Sequence, residues 1–72
     1  MEAIFIRGIE LPPTIKGVTV VDCDGNYNVY INTLLSYDIQ RKTQKHELKH
    51  IIKDHFYNHD PVVINELEAN AG

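Results

Sequence analysis

A chain of 72 residues holds one domain at most, here taken as residues 1–72, and a domain of that size buries only about 60% of its unfolded surface, so its core is marginal. Apolar residues at 43% and charged residues at 24% exclude a disordered chain, and a formal net charge of −3 argues against nucleic acid or an anionic membrane surface as the main partner. No apolar run approaches the roughly 20 residues that cross a bilayer, the single Cys23 has no partner for an internal disulfide, and no charged-then-apolar leader follows Met1, so a cytoplasmic protein is expected.

The first element in chain order is a strand in "EAIFIRGIEL", rich in Ile and Phe, which "PPTIKG" breaks with two prolines and a glycine. Next comes "GVTVVDCDGNYNVYIN", where two β-branched runs, Val18 to Val21 and Tyr27 to Ile31, flank Asp24-Gly25. That dipeptide tolerates the positive φ angles of a tight turn, so the segment reads as a β-hairpin. Asp22, Asp24 and Asn26 do not make a calcium loop, because Gly25 comes one place too early and no acidic residue closes the loop at the twelfth position. Along the second strand Tyr27, Val29 and Ile31 share one face, while Asn28, Tyr30 and Asn32 share the other.

Ser36 suits a helix N-cap and Asp38 suits the first turn. From there to about His55 the chain has no Gly or Pro, and Leu48, Ile51, Ile52 and His55 recur at helical spacing. A helix of about five turns is expected. Its basic residues, Arg41, Lys42, Lys45, Lys49 and Lys53, are diluted by Glu47 and Asp54 and read as a solvated face. "YNHDP" should end this helix, with Asn58 in a left-handed conformation, and Asp60 and Pro61 should open a second helix from about Pro61 to Ala69.

The first helix carries "QKHELKH". Residues four apart lie one turn along the axis and about 40° around it, so the imidazoles of His46 and His50 can converge on one point. Two imidazoles, a third protein ligand and a water make a tetrahedral catalytic zinc site. Glu47, beside the first histidine, is placed to reach the bound water as general base. His55, roughly 140° away from His50, is not expected at the same metal. The metzincin pattern would need Gly and His at positions 53 and 56, where the chain has Lys53 and Phe56. The gluzincin pattern takes a glutamate from the following helix, which leaves Glu66 and Glu68 as candidates.

With both motifs in view, "HELKH…ELEAN" resembles the small zinc metallopeptidase domains of the ImmA/IrrE type, which are gluzincin-like, and "GVTVVDCDGNYNVYIN" resembles the strand pair leading into their active-site helix. The resemblance covers about residues 17 to 70. It implies Zn2+ held by His46, His50 and a glutamate of the Glu-x-Glu-Ala-Asn segment, Glu68 first and Glu66 in reserve, with Glu47 activating water. It also implies a peptide or protein substrate, including helix-turn-helix repressors. The chain departs from the family in lacking the amino-terminal helix and the longer apolar helix past Ala-Asn, and in carrying Lys49 inside the motif. The alternative is therefore a catalytically inactive, metal-stabilised module that binds a regulatory protein.

Two further residues have roles to weigh. His59 reads as a loop residue that could also donate to a developing oxyanion, and Tyr57 as a turn anchor that could also act as electrophile. Cys23 reads as an idle thiol. If the strand bearing Asn28, Tyr30 and Asn32 lies at the sheet edge, it would pair with an extended substrate or join two copies of the chain in a homodimer. The expected architecture is thus α+β and zincin-like: a small antiparallel sheet with a hairpin, packed on a long active-site helix, and a short C-terminal helix.

Overall fold

The structure, a computed structural model, describes residues 3–53 and 62–66 and the backbone of 54–55. Over these residues the chain is a small α+β fold: β1 (Ala3–Ile9), β2 (Gly17–Val21), β3 (Tyr27–Asn32), α1 (Tyr37–His55) and β4 (Val62–Asn65). The four strands form one sheet in the order β2-β3-β1-β4. β2 and β3 are antiparallel, whereas β1 runs parallel to both β3 and β4. The sheet is therefore mixed, not antiparallel as expected. The hairpin supplies the antiparallel pair, and the N-terminal strand inserts beside it in the parallel sense.

Alternation along β1 explains its burial. Ile4 and Ile6 are fully buried, while Phe5 and Arg7 between them look to the other face. Val29, registered with Ile6, and Ile31, registered with Gly8, are also fully buried on β3, and Ile51 of α1 completes the core with Leu48 and Tyr27 packed against it. α1 lies on this face, over β3 and β2. It begins where Ser36 caps it: the Ile39 amide donates to Ser36 Oγ (3.4 Å) and the Gln40 amide to the Ser36 carbonyl (2.9 Å). No helix among the described residues is long and apolar enough to cross a membrane.

The segment expected to open a second helix is a strand. Val62, Val63 and Ile64 are β-branched and favour a pleated surface over a helical turn, and β4 pairs with β1 from Ala3↔Val62 to Ile6↔Asn65. Local cues from Asp60 and Pro61 are outweighed by a waiting edge on β1, and Pro also suits the start of an edge strand.

A second correction concerns the strand proposed for peptide pairing. β3 lies between β2 and β1 with both its sides paired, so Asn28, Tyr30 and Asn32 offer no free edge. The outer strands are β2 and β4. Asn32 is also wholly buried. Its Oδ1 accepts from the Leu11 amide (3.1 Å) and the Leu34 amide (3.0 Å), and its Nδ2 donates to the carbonyls of Leu11, Pro12 and Ile15 at 3.1, 3.2 and 2.9 Å. One side chain thereby holds the proline-bearing loop against the end of β3.

The hairpin turn is a residue longer than a two-residue loop. The Gly25 amide donates to the Asp22 carbonyl (3.1 Å) and the Asp22 amide to the Asn26 carbonyl (3.0 Å). Gly25 alone takes a positive φ, 81°. This is a type I turn followed by a left-handed glycine, the three-residue hairpin form.

Candidate functional site

Helical spacing in α1 brings His46 and His50 together: their Nε2 atoms stand 3.1 Å apart, with ring centroids at 4.5 Å and planes at 81°. Both side chains are exposed. The pair has the donor chemistry for a divalent transition metal, since two imidazole nitrogens at about 2.0–2.1 Å from a tetrahedral zinc are roughly 3.3 Å from each other. With no metal, one Nε2–H donates to the other nitrogen, which requires at least one neutral ring.

Glu47 is half-buried, and it lines an open groove of about 860 Å³ together with His46, Thr43, Lys42 and Ile39 of α1. The opposite wall is Thr14, Ile15, Lys16 and Gly17. Gly17 sets how close the walls come: a Cβ there would meet Thr43 Cγ2 and the Tyr30 carbonyl oxygen, each at 3.0 Å. The wall on the loop side stands where it does because Asn32 binds the Pro12 and Ile15 carbonyls. These wall residues were invisible in the sequence except as a break between strands. The one local sign was Gly17 directly before a β-branched run, which marks a close backbone approach.

The proposed glutamates fare differently. Glu66 follows β4 and forms an ion pair with Arg7 (Oε1 to Nε, 3.5 Å). Arg7 in turn lies over the Phe5 ring (5.0 Å) and donates from Nη1 to Asn28 Oδ1 (2.9 Å). These residues occupy the sheet face opposite Ile4 and Ile6, away from α1, and β4 is the outer strand farthest from β2. Glu66 is thus not brought to the histidines. Among the described residues no third His, Cys, Asp or Glu joins the pair. Glu68, Tyr57 and His59 lie outside the described residues, as does the side chain of His55.

At the hairpin, the Asp22 carboxylate accepts the Asn26 amide (3.0 Å), the Asn28 side-chain amide (3.2 Å) and the Asp24 amide (2.9 Å). The Asn26 amide chiefly, then the Asn28 and Asp24 donors, hold its pKa below the usual 3.8 against an opposing desolvation effect. This is turn chemistry, and it needs no cation.

Comparison of the chain with protein-family models, with curated proteins and with solved structures yields no match.

Proposed function

We propose that this chain is a small zinc-dependent peptidase of the His-Glu-x-x-His type, with His46 and His50 as two metal ligands, Glu68 as the third and Glu47 as general base. The observation that supports the reading is the close approach of the two Nε2 atoms, 3.1 Å apart, beside a groove that His46 and Glu47 line. Zinc bound there would polarise the scissile carbonyl and lower the pKa of its water towards about 7. Glu47 would be the residue that takes a proton from the attacking water and gives it to the leaving amine. The free outer edge of β2, which begins at the groove residue Gly17, offers main-chain groups to an extended peptide. The same edge serves equally to join two copies of the chain, which would occlude it. An exposed free thiol at Cys23 supports a reducing, cytoplasmic setting. A helix-turn-helix repressor as substrate is supported by the family resemblance alone.

Metal content by mass spectrometry tests the site, wild type beside His46→Ala, His50→Ala and Glu68→Ala. About one zinc per chain is expected in the wild type, with loss in all three variants. Glu47→Gln should keep the metal and lose hydrolysis by about 10²-fold or more. No zinc uptake even from added zinc would end the metal reading. Zinc uptake without turnover, unaltered by Glu47→Gln, would instead leave the metal-stabilised binding module, a reading favoured by a core of five buried apolar residues among those described.

A further inference from the structure

The groove beside His46 holds two cations that the proposed chemistry does not use. Lys16 lies on the loop wall and Lys42 on the α1 wall. Each is the chain neighbour of a residue in the Gly17–Thr43 approach, where a Cβ added to Gly17 would stand only 3.0 Å from Thr43 Cγ2. Both lysines are exposed, and the ion pair found among the described residues, Arg7–Glu66, involves neither. Among the described residues the sole acid in the lining is Glu47. The groove is therefore cationic within a chain whose formal net charge is −3, so its sign is a local arrangement and not the bulk charge of the protein.

The remaining lining narrows the ligand. Ile15 and Ile39, with the methyl groups of Thr14 and Thr43, give aliphatic surface between the cations. That suits the short apolar stem of an acidic side chain better than a sugar-phosphate backbone, whose repeated charges Glu47 would repel more than it repels a single carboxylate. Single ammonium groups on flexible stems, in place of planar guanidinium forks, suit a lone carboxylate.

We infer that the groove selects extended peptides carrying a glutamate or aspartate side chain, held between Lys16 and Lys42. The inference deepens the peptidase reading by naming a substrate class, and it rests on that reading only for the fate of the peptide after binding. Charge complementarity of this exposed kind acts through attraction that salt weakens.

The test is fluorescence anisotropy with labelled octapeptides of alanine and valine that differ at one central position, Glu, Gln or Lys. They are titrated against Glu47→Gln protein, which leaves them intact, with and without added zinc. The Glu peptide should bind about five-fold more tightly than the Gln peptide in about 0.05 M salt, and the Lys peptide most weakly. The preference should fall below about two-fold in about 0.3 M salt, and likewise in the further variant Lys16→Gln/Lys42→Gln. Equal affinity for the three peptides, binding of none, or a preference that survives loss of both lysines would overturn the inference. Because the readout is binding, failure of wild-type protein to hydrolyse any peptide would overturn the peptidase reading and leave this result standing. Both lysines are exposed, and an unchanged unfolding midpoint confirms that their replacement acts on the groove.

Discussion

Asn32 concentrates more structure in one side chain than any other described residue. A buried amide normally needs partners for both its oxygen and its nitrogen, and here two amides and three carbonyls provide them. Asn32→Leu has similar volume and no polar atoms, and it would take a partner from those five backbone groups, of which, among the described residues, the Pro12 carbonyl alone keeps another in the Ile15 amide (2.9 Å). The expected loss is about 2–4 kcal/mol of unfolding free energy, measured by urea denaturation. Asn32→Asp should be worse, because a carboxylate would face the Leu11, Pro12 and Ile15 carbonyls. Strand alternation alone placed Asn32 on an outward polar face with Asn28 and Tyr30. The covering loop is what buries it, and nothing within β3 itself announces that loop. Asp22 makes a contrasting case at the surface. Its pKa is depressed in the folded state, so its contribution is complete above the ordinary value of 3.8 and is lost as pH falls through the lower folded-state value. Asp22→Asn should therefore lower stability above the ordinary value and make little difference once pH has fallen through the folded-state value, so that the two proteins converge in acid. Thermal midpoints from about pH 5 to pH 2 would show it, and parallel curves for the two proteins would refute it.

Among the elements, the seat of α1 on β2 depends on a missing methyl group. Gly17→Ala would place a Cβ 3.0 Å from both Thr43 Cγ2 and the Tyr30 carbonyl oxygen, so the helix or the strand must shift by a few tenths of an ångström. A loss of about 1–3 kcal/mol is expected. Adding Thr43→Ser removes one of the two obstacles and preserves a hydroxyl that can donate to the Ile39 carbonyl as Thr43 Oγ1 does (2.8 Å). Partial recovery in the double variant, read from urea midpoints, would locate the strain between α1 and β2, and strict additivity would refute that location. The elements were unequally legible in the sequence. The hairpin declared itself because its turn and both strands are contiguous, and Ser36 marked the helix start by its own chemistry. β4 did not, because Val62–Asn65 takes its conformation from β1 at the other end of the chain, and the cap and proline just before it favour a helix locally. The convergence of His46 and His50 needed nothing beyond the helical repeat. The opposing wall of the groove needed the tertiary fold.

The whole molecule has a one-sided architecture. α1 covers the face with Ile4, Ile6, Val29 and Ile31, while the other carries Phe5, Arg7 and Glu66 with no helix upon it among the described residues. Such a thin core leaves room for a bound ion to add a sizeable share of the total stability. Zinc that binds only the folded chain should add about 2.7 kcal/mol at a hundred-fold excess over its dissociation constant. For a domain of this size that is a rise on the order of 10–20 °C in the unfolding midpoint. Differential scanning fluorimetry with and without zinc would show it in the wild type and not in His46→Ala. An equal response in both would place the ion elsewhere.

The central position of β1 also governs the order in which the protein assembles. β1 precedes both of its sheet neighbours, β3 and β4, in the chain, and β4 follows it only after the hairpin and α1 have been made. Parallel pairing of this kind closes long loops before it gains contacts, and so it is slow. Through that interval "AIFIRGI" is an apolar, β-prone segment emerging without either partner, of the sort that pairs between chains. Arg7 in its middle is the one charge that opposes this. Its ion pair with Glu66 can form only once β4 has been made, so until then the same guanidinium is left to oppose pairing between nascent copies.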